Sequence, residues 1–88
     1  MKNIRIHPKA LKEFRELPSG TKKKVKDALQ AIAEGSERSL DIAKTRGKKG
    51  KEDMMRLRVG DHRIIFKIDR RTLWMIRIAD RSKVYKDL

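Results

Sequence analysis

Met54-Met55-Arg56-Leu57-Arg58-Val59-Gly60-Asp61-His62-Arg63-Ile64-Ile65-Phe66-Lys67 is the stretch whose reading decides the fold. Two alternating runs flank Gly60-Asp61. In the first, Met55, Leu57 and Val59 share one parity and Arg56 and Arg58 share the other. In the second, Ile64, Phe66 and Ile68 oppose Arg63, Ile65 and Lys67. Period-two alternation around a glycine-containing turn predicts a β-hairpin. Side chains alternate across a strand, so the hairpin has an apolar face that needs covering and a second face rich in guanidinium groups.

Moving outward, Leu73 to Ala79 forms a third run, with Trp74, Ile76 and Ile78 on one parity and Leu73, Met75, Arg77 and Ala79 on the other. Asp69-Arg70-Arg71-Thr72 supplies the turn before it. Upstream, Ile4 and Ile6 alternate with Arg5 and His7, which predicts a short strand over Asn3 to His7. Pro8 fits the first turn of a helix, and Leu11, Phe14 and Leu17 continue it at helical spacing. Pro18-Ser19-Gly20 breaks that helix, and Ser19 or Thr21 can cap a second one. Val25, Ala28, Leu29, Ile32 and Ala33 then make an apolar stripe over Thr21 to Glu34, with Gly35 as a left-handed stop. Gly35 to Asp53 is the least structured stretch, and its lysine- and arginine-rich part holds Lys44, Arg46, Lys48, Lys49 and Lys51 without an acid. Such a segment reads first as a solvated loop and, compatibly with that, as a polyphosphate-gripping arm.

The order β-α-α-β-β-β predicts an α+β fold, an antiparallel sheet with the N-terminal helical hairpin packed on one face. The covered side would hold Met55, Leu57, Val59, Ile64, Phe66, Ile68, Trp74, Ile76 and Ile78. Leu11, Phe14, Leu17, Val25, Leu29 and Ile32 would pack against them. The open side would hold Arg56, Arg58, Arg63, Lys67 and Arg77, with Arg81 in parity just beyond, and every charge on it would be positive.

At 88 residues the chain predicts one domain, 1–88, with a small single core. It contains no cysteine, which excludes disulfide frameworks and thiolate metal sites and suits a reducing cytoplasm. No signal-peptide h-region or membrane-length apolar run is present in the sequence. Net charge is +13, from 25 Lys and Arg against 12 Asp and Glu, the electrostatic footprint of a protein that meets a polyanion.

A guanidinium face binds phosphodiesters bidentately, and it can also act on them. RNA carries its own nucleophile, the 2′-hydroxyl. An enzyme needs only to orient it, take its proton, neutralise the phosphorane and protonate the leaving oxygen. Arg56, Arg58, Arg63 and Arg81 suit charge stabilisation, because arginine stays cationic and makes a poor base. Candidates for proton transfer are few. Imidazoles exchange protons near neutral pH, which draws attention to His62, although its strand parity opposes Arg63 and it reads equally as a polar residue beside a turn. Tyr85, the sole tyrosine, lies among cations that favour a phenolate, and reads equally as a half-buried terminal aromatic. No metal or other cofactor is expected, since thiols are absent and His7 and His62 lie too far apart in sequence for a local ligand motif.

These residues resemble a known family. Ile6-His7-Pro8-Lys9-Ala10-Leu11-Lys12-Glu13-Phe14, the segment Met55 to Phe66, and Arg77-Ile78-Ala79-Asp80-Arg81-Ser82-Lys83-Val84-Tyr85 are similar to RelE toxins of the RelE/ParE toxin superfamily. The resemblance implies a cytoplasmic, metal-independent endoribonuclease that cleaves mRNA in the ribosomal A site, against the 16S rRNA. It implies inhibition by an acidic, RelB-like antitoxin in a toxin–antitoxin hetero-oligomer. By motif, the catalytic set falls on Arg56, Arg58, Arg63, Arg81 and Tyr85. Lys44, Arg46, Lys48, Lys49, Lys51, Lys67 and Arg77 would add RNA binding, with His62 as a further acid/base candidate. This chain has arginine at 56 and 58 where some relatives have lysine, lacks an aromatic common at His62, and has Ala79 where some carry a second basic residue. The superfamily also contains ParE-like members, in which the same fold binds DNA gyrase and cuts nothing.

Overall fold

The computed structural model describes residues 1–36, 38–44 and 54–80. Its elements run β1 (Asn3–Ile6), α1 (Pro8–Arg15), α2 (Ser19–Glu34), β2 (Asp41–Lys44), β3 (Met55–Val59), β4 (His62–Asp69) and β5 (Thr72–Asp80). The strands form one sheet in the order β1-β5-β4-β3-β2. The hairpin forms as the sequence predicts: β3 and β4 pair antiparallel around Gly60-Asp61, with Gly60 at φ 59°.

Local chemistry sets the helix boundaries. His7 caps α1, its Nδ1 accepting weakly from the Lys9 N–H at 3.4 Å, and Pro8 fills a first-turn position that needs no donor. α1 stops at Arg15, two residues before the expected Leu17, yet Leu17 is still buried. Pro18, rather than Ser19 or Thr21, occupies the N-cap of α2, and both hydroxyl residues lie inside the helix. A rigid proline φ enters a helix without a side-chain cap, which is why the capping residues were misplaced by sequence. At the other end Gly35 adopts φ 80°, and the N–H of Ser36 donates to the carbonyl of Ala31 at 2.7 Å. That bond is the long closure of a Schellman stop, and it needs the glycine.

The core lies between the helices and one sheet face. Val25, Ala28, Leu29 and Ile32 of α2 meet Leu57, Ile64, Phe66, Leu73, Met75 and Ile78 of the sheet, with Ala10 and Leu17 completing the cluster. Fully burying each large side chain stabilises by roughly 1.5–3 kcal/mol, so this small set carries the fold. Phe14, Met55 and Val59 pack at its margin.

Three features differ from expectation. β1 joins β5 in parallel, so only the other four strands are antiparallel neighbours. The helices carry the chain from β1 at one edge of the sheet to β2 at the other, and the parallel partner of β1 arrives only after β2, β3 and β4, so the parallel pair is closed by a long connection. A fifth strand, β2, adds Asp41–Lys44 to the edge beside β3, within the stretch expected to be least structured. Finally, the β4–β5 register shifts between Ile65 and Phe66: Ile65 opposes Arg77, but Phe66 opposes Met75, leaving Ile76 as the extra residue of a bulge. Below the bulge the parity of β5 is inverted. Leu73 and Met75 are fully buried in the core, and Trp74 and Ile76, expected there, are only partly buried and lie outside the core cluster. Ile68 keeps its parity but is 40% exposed at the end of the strand.

Candidate nucleic-acid interface

Cross-strand register assembles the face opposite the helices. One row runs Asp41 (β2), Arg58 (β3), Arg63 (β4) and Ala79 (β5). The next runs Ala43, Arg56, Ile65 and Arg77. The third runs Lys67 (β4), Trp74 (β5) and Arg5 (β1). Successive rows are about 6.7 Å apart along the strands, and neighbours within a row about 5 Å.

Arg58 and Arg63 are directly opposed, and like charges so placed repel. Arg58 is exposed, whereas Arg63 is only 6% exposed, and its buried Nε–H has no hydrogen-bond partner among the described residues. A buried, unanswered guanidinium donor costs about 1–3 kcal/mol or more, so the fold carries an unfavourable term at this point. Arg58, Gly60, Asp61 and Arg63 line a cleft of about 120 Å³. Two arginines and one aspartate line it, so its charge is net positive.

Arg56 is half-buried, and it shares Asp41 with Arg58: Asp41 Oδ1 lies 3.5 Å from Arg56 Nη2, and Oδ2 lies 3.6 Å from Arg58 Nε. The face is therefore not wholly positive, because β2 brings an acid onto it from the stretch expected to be least structured. Asp41 is 53% exposed and its contacts are long, so the pairs are worth little and a phosphate can replace them.

Arg77, expected to add RNA binding, is engaged within the protein. Its Nε and Nη2 donate to the Glu13 carboxylate of α1 at 3.0–3.2 Å, and Glu13 Oε1 also accepts the Ile78 N–H at 3.0 Å. β1 ends at its pair with Met75, so the remaining edge of β5 would otherwise be unpaired there. Glu13 closes it. Arg77 is thus anchored to the helix layer.

Lys44 is exposed at the end of β2, and Lys67 is half-buried in the third row. Alternation sets His62 on the parity of Ile64, opposite Arg63, while Ile65 is fully buried on the arginine side. Arg46, Lys48, Lys49, Lys51, Arg81 and Tyr85 lie outside the described residues. Sequence reasoning missed Asp41, Glu13 and Trp74 as members or organisers of this region. No group of His, Asp or Glu suited to a metal occurs among the described residues, and none of their helices is long and apolar enough to cross a membrane.

Two helices against a five-stranded sheet with an arginine-bearing open face define a class of small toxins. A family model described as the ParE toxin of type II toxin–antitoxin systems matches residues 4–85, and the chain belongs to this RelE/ParE toxin family. It is 27% identical over 89 residues to RelE1 of Methanocaldococcus jannaschii, a candidate toxin, covering 97% of this chain and 96% of that one. The fold matches the archaeal RelE–RelB complex of Pyrococcus horikoshii with a TM-score of 0.73 at 22% identity, over 94% of this chain and 98% of that one. It matches the RelBE toxin–antitoxin complex of E. coli with a TM-score of 0.68 at 19% identity, over 91% and 96%.

Proposed function

We propose that this toxin is a ribosome-dependent endoribonuclease that cleaves mRNA in the A site by attack of the 2′-hydroxyl on the adjacent phosphate. The observation that carries the reading is the Arg58–Arg63 pair, with a buried guanidinium donor left open beside a small cleft. A phosphodiester entering there receives two cations, and the charge that develops in the phosphorane strengthens those contacts. Arg56 supports the same oxygens from the neighbouring row once the phosphate replaces Asp41. Arg81 and Tyr85 complete the set by their match to RelE toxins. Tyr85 takes the proton-transfer role, because His62 has the wrong parity to share the cleft with Arg63. RNA supplies the nucleophile, so the route calls for no metal. The partner that holds the toxin inactive is an acidic RelB-like antitoxin, a reading supported by the RelE–RelB complex of the Pyrococcus relative and the RelBE toxin–antitoxin complex of the E. coli one.

A second reading rests on the ParE family match: a non-nuclease that poisons DNA gyrase. Primer extension on translated mRNA after induction separates the two. Cuts within codons are expected from the natural chain and not from Arg63→Met. Because that substitution removes a buried unpaired donor and keeps an apolar stem, the variant should melt at the same temperature or slightly higher. Intact mRNA together with stalled gyrase cleavage complexes would select the ParE-like activity instead.

A further inference from the structure

The bulge at Ile76 has one chemical result on the open face: it turns the chain's only tryptophan outward. Without it, continuous alternation from Ile78 would seat Trp74 in the core. With it, Trp74 lies between Lys67 on β4 and Arg5 on β1, one strand spacing from each. The side chain is partly exposed, and Arg5 is exposed. A bulge leaves an unpaired residue in the ladder, and a large ring held outside the core forgoes the burial available to it. An aromatic surface flanked by two cations is the pattern that binds single-stranded nucleic acid, with a base on the ring and phosphates on the flanking charges.

We infer that Arg5, Trp74 and Lys67 form a base-stacking subsite for single-stranded RNA, which positions a nucleotide a short way along the strand from the bond cleaved at Arg58 and Arg63. The inference deepens the ribonuclease reading and rests on it for the second half of that statement. On β4, Lys67 is four residues from Arg63, about 13 Å along the strand. A stacked single strand advances ~3.4 Å per nucleotide, so the two places are within about four nucleotides of each other and fewer when the strand is extended. The charge of the face fits this occupant: among the described residues Arg5, Arg56, Arg58, Arg63 and Lys67 stand against Asp41 on β2, Asp61 at the hairpin turn and Asp69 at the end of β4, so the balance stays positive. Stacking tolerates every base, so Trp74 contributes affinity and register with little sequence preference.

The sole tryptophan is its own reporter. The full chain is titrated with a short 2′-O-methyl oligoribonucleotide, which lacks the free nucleophile and stays uncut. Tryptophan fluorescence should quench to saturation, with the same midpoint that anisotropy of a labelled oligonucleotide gives. Trp74→Leu should bind roughly tenfold more weakly, Trp74→Phe should recover most of the loss, and Arg5→Ala should weaken the quench. Circular dichroism confirms that each variant is folded. Binding seen by anisotropy without a fluorescence change, or equal affinity in Trp74→Leu, would overturn the subsite. Quenching in a protein that leaves translated mRNA intact would support the subsite and sink the ribonuclease reading alone.

Discussion

Glu13 and Arg77 show how little a charged residue's type says about its work. Arg77 sits in a basic sequence run and, by parity, on the basic face, yet its guanidinium donates at 3.0–3.2 Å to a helix carboxylate. Side-chain exposures of 12% and 21% make this a largely desolvated pair. Glu13 also answers the Ile78 N–H, so its removal costs both an ion pair and a sheet-edge acceptor. Breaking one partner of a buried pair costs 3–5 kcal/mol. With residual solvent contact here, Glu13→Ala should lose about 2–3 kcal/mol in urea unfolding. Glu13→Gln keeps an acceptor for the Ile78 N–H and should lose about half as much. Equal stability of Glu13→Ala and the natural chain would mean that the β5 edge is held by other contacts. Arg63 is the opposite case. Alternation placed it with Arg56 and Arg58, but its burial and its unanswered donor belong to tertiary packing and leave no mark in the sequence.

The elements that sequence made legible are those with a strong local signal. Gly60 announces the β3–β4 turn because the turn needs a positive φ, and the stripe from Val25 to Ala33 announces α2 because all five residues are buried. β2 has no such signal. It is four residues long, Ile42 is its single core-facing apolar residue, and it exists because β3 offers an edge to pair with. The β5 bulge is equally silent, since Trp74, Ile76 and Ile78 alternate cleanly and only the fit of Leu73 and Met75 among core neighbours selects the shifted register. The two turns make a matched test. Gly60 at φ 59° has open space where a Cβ would stand, so Gly60→Ala pays only for the left-handed backbone, about 1–2 kcal/mol. Arg70, at φ 57° in the β4–β5 turn, already bears that cost. Arg70→Gly relieves it, less the greater unfolded-chain entropy of glycine, and should stabilise by about 0.5 kcal/mol. Thermal midpoints should therefore move in opposite directions.

At the scale of the molecule, the chain carries a net charge of +13, and its described residues present basic groups on two sides that must be told apart. Lys23, Lys24 and Lys26 are exposed on α2, and Arg70 and Arg71 are exposed at the β4–β5 turn, away from the arginine rows. If binding to RNA came from total charge, any of these would matter as much as the open face. A strand laid across the sheet predicts otherwise. Each phosphate contact to single-stranded nucleic acid adds about −0.7 to the slope of log affinity against log salt. With Arg5, Arg56, Arg58, Arg63 and Lys67 engaged, the slope for an uncleavable oligoribonucleotide should be about −3.5. Arg56→Ala and Arg58→Ala should each reduce its magnitude by about 0.7, whereas Lys23→Ala and Lys24→Ala should leave it nearly unchanged. Asp41→Asn should tighten binding at low salt, because the phosphate no longer competes with a resident carboxylate for the two arginines. Anisotropy titrations over a salt series measure all five variants. Equal slope changes for the helix lysines and the strand arginines would mean that the RNA senses a charged sphere, and that the face assembled by register has no privileged role.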